Sequence, residues 1–251
     1  MAPDAAPWYA SGFDEHYPLM QTFEEAWTEV QAASVEVLLD LPPGARILDL
    51  CCGYGRHSRA WGRNGHWTAG LDLSAPLLRR ARDEEPGGRW ARGDMRRLPF
   101  AAGAFDAAAI LFSSFGYFDT RAEDLASLRE IHRILRPGGG VYLELRNPDH
   151  LRHHVPPDDA VTIQGVWVAE SSRIAPSSEG DRYEIRRHIR APGQPERRYF
   201  YSMRLYRPGE IRDALLAAGF ADIALYGDFQ GSPASPALSR LIATAQKAGD
   251  P

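Results

Sequence analysis

Arg46-Ile47-Leu48-Asp49-Leu50-Cys51-Cys52-Gly53-Tyr54-Gly55-Arg56-His57-Ser58 reads as a strand, a glycine turn and the start of a helix. Ile47 to Leu50 is a short apolar run of the length of a buried strand, with an acid, Asp49, near its end. Gly53 and Gly55 follow, one residue apart. A residue without Cβ lets the backbone approach a ligand at positive φ. The polar, arginine-bearing segment after them opens a helix, whose free N–H groups point into the turn. This is the local signature of a nucleotide-type site. An ordinary strand-to-helix turn, with glycines only for sharpness, has the same signature.

The chain beyond the turn separates the two readings. Arg56 to Arg63 reads as a helix, closed by Asn64-Gly65. His66 to Leu71 is a strand ending in Asp72, and Ser74 caps a helix that carries Pro76 in its first turn. Arg89 to Ala91 is a short strand before Gly93-Asp94-Met95, and Phe105 to Phe112 is a buried strand continuing into Ser113 to Phe118. Leu125, Leu128, Ile131 and Leu135 mark a helix stopped by Pro137-Gly138-Gly139, and Val141 to Leu145 is the next strand. Five strands alternating with helices predict an α/β, doubly wound parallel sheet.

Ligands of such sheets sit outside the carboxyl ends of the strands. Asp49, Asp72 and Asp94 fall at or just past three successive ends. A carboxylate about 20 residues beyond the glycines is placed to accept from a ribose diol, which assigns that part to Asp72. Asp94 and Met95 are placed to flank an adenine, and Asp49 to attract a cation or order the glycine turn. Each alone reads equally well as a helix cap or a solvated carboxylate. Three in register favour a nucleotide site.

These residues carry a resemblance. Ile47 to Ser58, then Gly70-Leu71-Asp72-Leu73-Ser74, Gly93-Asp94-Met95-Arg96-Arg97-Leu98-Pro99-Phe100, Phe105-Asp106 and Leu135-Arg136-Pro137-Gly138-Gly139-Gly140 resemble class I S-adenosylmethionine-dependent methyltransferases. The resemblance runs from about Leu41 to Arg146. It implies a Rossmann-like sheet of seven mostly parallel strands and S-adenosylmethionine as cofactor, leaving as S-adenosylhomocysteine. It also implies that the Gly53/Gly55 turn holds the methionine part, Asp72 the ribose, and Asp94 with Met95 the adenine. Tyr17, Cys51, His57, Leu73 and Phe112 complete the expected cofactor set. The family usually has glycine where this chain has Cys51. A nicotinamide-dependent oxidoreductase fits less well, because its third glycine would fall at Ser58 and no Tyr-x-x-x-Lys pair follows. A fold relative that only binds the cofactor is a further alternative.

Residues 151–206 break the alternation. Leu151 to Asp159 reads as a loop, and Val161 to Ile174, Tyr183 to Arg190 and Arg198 to Tyr206 as β runs divided by turn clusters. The expected organisation is an N-terminal lid segment and helix over 1–41, a core over 42–150 and 207–251, and a β-rich antiparallel cap inserted at 151–206. Trp8, Tyr9, Phe13 and Tyr17 lie among Pro7, Gly12 and Pro18, and read as a lid or as plain packing. From about Gln21 to Leu41 the apolar spacing is helical.

Composition limits the rest. The chain has 251 residues, a formal net charge of −4 and two adjacent cysteines, Cys51 and Cys52. Those cysteines form no disulfide framework, and a reduced cytoplasmic setting is expected. The charge argues against nucleic acid as an obligate partner. No apolar run approaches the ~20 residues that span a bilayer, and Met1 to Pro7 lacks the pattern of a signal peptide. A small-molecule substrate and a monomer or homodimer are expected. His153, His154 and Tyr117 are candidate bases. Tyr9, Ser114, Phe115, Arg146 and Asn147 are candidate acceptor contacts. No metal site is expected, since His153 and His154 are adjacent rather than helically spaced. The runner-up activities are methylation of a protein side chain and another sulfonium reaction on the same fold.

Overall fold

The computed structural model describes residues 7–14, 16–17, 24–163 and 165–249. The expectations for Met1 to Ala6, Pro18 and Gln21 to Phe23 lie outside the described residues. A single 3-10 turn covers Trp8–Ala10. The chain then runs through α1 (Glu25–Leu38), β1 (Arg46–Leu50), α2 (Arg56–Arg63), β2 (Trp67–Asp72), α3 (Ala75–Glu84), β3 (Trp90–Arg92), β4 (Phe105–Ile110), α4 (Arg121–Ile134) and β5 (Leu135–Arg146). A short helix α5 (Pro148–His153) leads to β6 (Asp159–Ile163), β7 (Val166–Ala175), β8 (Arg182–Arg190) and β9 (Arg197–Arg204). The chain closes with α6 (Pro208–Ala217), β10 (Phe220–Tyr226) and β11 (Arg240–Lys247).

Seven strands form the main sheet in the order β10-β11-β5-β4-β1-β2-β3. The pairs β1–β2, β1–β4, β2–β3 and β4–β5 are parallel, and β11 is antiparallel to both β5 and β10. Alternation along each strand splits the core into two layers. Leu48, Leu50, Ile110, Val141 and Leu143 pack with Leu128 of α4 and Ile211 of α6 on one face. Ile47, Ala107, Ala109, Tyr142 and Ile242 pack with Val35 of α1 and Trp61 of α2 on the other.

The inserted segment forms a second sheet of four antiparallel strands, β6-β7-β8-β9. Two local expectations are corrected. The β run read over Val161 to Ile174 is two strands reversing at Gly165, whose φ of +80° suits glycine. The loop read from Leu151 begins instead inside α5, because Asn147 caps the helix by accepting from the Asp149 N–H and Pro148 fits its first turn.

The cap is fastened to the core through a buried ion pair. Asp124 of α4 accepts from Arg204 Nε at 2.9 Å and Tyr206 Oη at 2.7 Å, and both charged side chains are 1% exposed. The Arg204 N–H also donates to Gly116 O. Removing one partner of such a pair strands a buried charge and typically costs 3–5 kcal/mol.

The N-terminal segment bridges cap and core. Asp14 accepts from Tyr199 Oη at 2.7 Å and from Arg197 at 3.2 Å on β9, while Phe13 O accepts from Ser74 Oγ at the start of α3. Rings of Trp8, Phe13, Tyr17, Tyr117 and Tyr201 contact one another between these attachments.

Candidate active site

The carboxyl ends of β1, β2, β3 and β4 meet under the N-terminal segment in a cleft. Its floor is the glycine turn. Gly53 and Gly55 have φ of +56° and +79°, and a Cβ on Gly55 would lie 2.3 Å from the Trp90 ring. Glycine is therefore required at Gly55 by space as well as by conformation. Cys51 also sits in the left-handed region, at φ +63°, which gives a physical reason why glycine suits that position.

Asp49 is buried on β1 and accepts from the N–H of Ser58 at 3.0 Å and from its Oγ at 2.7 Å. It thereby ties the start of α2 to the strand, and Ser58 stands where an oxidoreductase would have glycine. Burial pushes its carboxyl up to about 6. Asp72 accepts from the backbone N–H of Gly53 and of Ser74, both at 2.8 Å. Burial raises its pKa, and those N–H groups oppose the rise. Burial also works against the Asp94 charge. The guanidinium and N–H of Arg96 outweigh it and hold Asp94 below the usual carboxylate range.

Around this floor the cleft is lined by Tyr17, Asp49, Cys51, Gly53, His57, Asp72, Leu73, Asp94, Met95 and Phe112, all expected for the cofactor. Gly55 lies one layer back, as the N-cap of α2. Of the expected acceptor residues, Tyr9 and Ser114 line the cleft, as does Tyr117. Others do not line it. Phe115 is buried in the core against Tyr206. Asn147 is spent capping α5 and donating to Ser235 O and Leu238 O. Arg146 lies over the Tyr183 ring, 5.0 Å from its centroid.

His153 and His154 are also outside the cleft. His153 ends α5 and is exposed, and the exposed His154 stacks on His150 at 4.1 Å. The helix that replaced the expected loop puts them there. Tyr117 is half-buried and its hydroxyl is raised well above the ordinary value by desolvation, so it is protonated at neutral pH. Burial likewise keeps His57 neutral, and its Nε2 lies 3.1 Å from Gln31 Oε1.

Sequence reading passed over one cluster. Arg56, the first residue of α2, donates to Thr28 Oγ1 at 2.8 Å and Gln31 Oε1 at 2.7 Å on α1. Gln31 is fully buried, yet its Nε2 has no partner among the described residues. Arg56 itself lines the cleft beside the glycine turn. The cationic donor Arg56 fits the amino-acid end of a nucleotide-linked cofactor, and Asp72 fits its ribose.

Fold and cleft together define a Rossmann-like nucleotide-cofactor protein whose cleft lies at the carboxyl ends of its parallel strands. Residues 47–139 match the methyltransferase domain family. A dTDP-3-amino-3,4,6-trideoxy-alpha-D-glucopyranose N,N-dimethyltransferase of Streptomyces venezuelae is 31% identical over 181 residues, 71% of this chain and 76% of that one. A malonyl-[acyl-carrier protein] O-methyltransferase of Erwinia pyrifoliae is 38% identical over 116 residues, 45% of this chain and 43% of its own length. Among solved structures, an S-adenosylmethionine-bound amino pentose methyltransferase of Micromonospora echinaspora superposes with a TM-score of 0.67 at 26% identity, covering 92% of this chain and 94% of that one. The chain belongs to the S-adenosylmethionine-dependent methyltransferases and is an enzyme of that class.

Proposed function

We propose that the enzyme methylates a small organic acceptor that enters between the lid and the glycine turn, and that a nitrogen nucleophile is the first class to test. The partly covered, aromatic-edged cleft carries this reading. Phe13 and Tyr117 line the cleft beside the cofactor residues, which suits a metabolite better than a polymer. The amino-sugar and amino-pentose substrates in the names of two relatives support nitrogen.

S-adenosylmethionine supplies an activated methyl on a sulfonium. Asp72 would hold its ribose, Asp94 and Met95 its adenine, and Arg56, oriented by Gln31, its amino-acid end. Tyr9, Ser114 and Tyr117 would place the acceptor in line. Among the described residues that line the cleft, the carboxylates are Asp49, Asp72 and Asp94 and the imidazole is His57. Asp49 and Asp72 are engaged by N–H groups, Asp94 by Arg96, and His57 is bonded to Gln31. The chain therefore works by proximity and orientation, which supply ~7–11 kcal/mol of a barrier when geometry is right.

The test is S-adenosylhomocysteine release with S-adenosylmethionine and a panel of amino sugars, their dTDP conjugates and hydroxyl analogues. Turnover with amines and not with the hydroxyl analogues is expected. Turnover only with a protein or peptide acceptor would favour the runner-up, in which the cap is a docking surface.

A further inference from the structure

Phe112 and Ser113, directly after β4, are consecutive non-glycine residues in the left-handed region, each at φ +58°. Side chains rarely adopt that conformation, and it persists only where the surroundings over-determine it. The surroundings here include one carboxylate. Glu144 on β5 is 4% exposed, and its Oε2 accepts from the Phe112 N–H at 2.8 Å. Its other oxygen accepts from Arg240 Nε on β11 at 3.1 Å. A charged acceptor makes a stronger bond than a neutral one, and the ion pair fixes the carboxylate's orientation.

What the turn holds is functional surface. Leu111, Phe112 and Ser114 all line the cleft. The Arg56 guanidinium sits 5.7 Å from the centroid of the Phe112 ring, and Ser114 hydrogen-bonds Tyr117. The turn therefore borders both the amino-acid end of the cofactor space and the acceptor wall. We propose that Glu144, through the Phe112 N–H, is a positioning residue for methyl transfer: it holds the strained Phe112–Ser113 turn, and the turn holds the cleft wall against Arg56. The proposal rests on the cofactor reading above. It assigns Glu144 no contact with cofactor or acceptor.

The experiment is calorimetric titration of S-adenosylhomocysteine into the full chain. Glu144→Leu removes the acceptor and should weaken binding about 10- to 100-fold. Glu144→Gln keeps an oxygen for the Phe112 N–H and should stay within about 3-fold of wild type. Arg240→Leu removes the ion pair and the Arg240 contacts with the Trp27 and Phe229 rings but leaves the Phe112 bond, and should do the same. The decisive variant is Glu144→Leu/Ser113→Gly. Glycine enters the left-handed region without strain, so binding should recover by at least about half of the logarithmic loss. A residue that merely stabilised the sheet would gain nothing from a glycine one turn away. Should Glu144→Leu fail to fold, Glu144→Leu/Arg240→Leu leaves no orphaned guanidinium and carries the same comparison. Unchanged affinity in Glu144→Leu, equal loss in Arg240→Leu, or no recovery with Ser113→Gly would each overturn the assignment. Wild-type protein that does not bind S-adenosylhomocysteine would overturn the cofactor reading itself, and the proposal with it.

Discussion

The backbone N–H of Gly53 donates to Asp72 Oδ2 at 2.8 Å. One carboxylate thus lines the cleft and also ties the glycine turn of β1 to the end of β2. Removing it should cost a ligand contact and loosen the turn together. S-adenosylhomocysteine is expected to bind wild type in the micromolar range, about −8 kcal/mol. Asp72→Ala should weaken that by roughly 2–4 kcal/mol. Asp72→Asn, which keeps an acceptor for the N–H, should lose about half as much. Calorimetry showing unchanged affinity in Asp72→Ala would remove the ribose assignment.

Asp49 gives a pH signature. Its carboxyl is raised to about 6 by burial, against about 3.9 for an unfolded chain. Between these values the folded state holds a proton that the unfolded state has released. The group's contribution is therefore complete below about pH 4, falls as pH rises to about 6, and is flat above. The fall amounts to roughly 3 kcal/mol. Asp49→Asn still offers an oxygen to Ser58 but does not titrate. Subtracting its urea-denaturation profile from that of wild type should leave a slope confined to about pH 4–6. Parallel profiles would show that the carboxyl titrates at its ordinary value.

The N-terminal aromatic segment should answer to Asp14. Tyr199→Phe removes one bond from its carboxylate, worth about 1 kcal/mol at a partly buried site. Dissociation of S-adenosylhomocysteine, followed by tryptophan fluorescence, should accelerate about 5-fold. Hydrogen exchange over residues 7–14 should slow when the ligand is added to wild type, and slow less in the variant. Equal exchange with and without ligand would mean that the aromatic segment only packs.

The two glycines of the turn should respond differently to alanine. A Cβ at Gly53 meets only Leu77, at 3.8 Å, so the cost is the left-handed backbone, roughly 1–2 kcal/mol. At Gly55 the same backbone cost is joined by overlap with Trp90 at 2.3 Å, worth about 1–3 kcal/mol more. Thermal denaturation should rank Gly55→Ala as the less stable. Trp90→Leu in that background should recover part of the difference, and equal melting of the two alanine variants would contradict the overlap.

The sheet and the cofactor floor were legible because their determinants are local. An apolar run, two glycines and an acid at each strand end lie within a few residues of one another. The cap hairpin at Gly165 was missed because a continuous β run with one glycine does not say whether the chain bulges or reverses. The helix over Pro148–His153 carried a readable signal in Asn147-Pro148, a capping residue before a first-turn proline. That signal was outweighed by the prolines and acids that follow. Gln31 and Glu144 had no local signal at all, and nothing local tied Arg56 to Gln31. Gln31 lies 25 residues from Arg56, and Glu144 lies 32 from Phe112, and only the folded sheet brings them together. His153 and His154 failed for the opposite reason: position after β5 was legible, but a helix turned that position into surface.

The Asp124–Arg204–Tyr206 joint bears on the order of events in turnover. With the four-stranded sheet anchored by a desolvated charge pair, access to the cleft is expected beneath residues 7–14. Phe13 and Tyr17 stand on that path, outside the glycine floor. An acceptor seated there would block the nucleoside behind it. Steady-state kinetics should therefore be sequential and compulsory, with S-adenosylmethionine loading first and S-adenosylhomocysteine departing last.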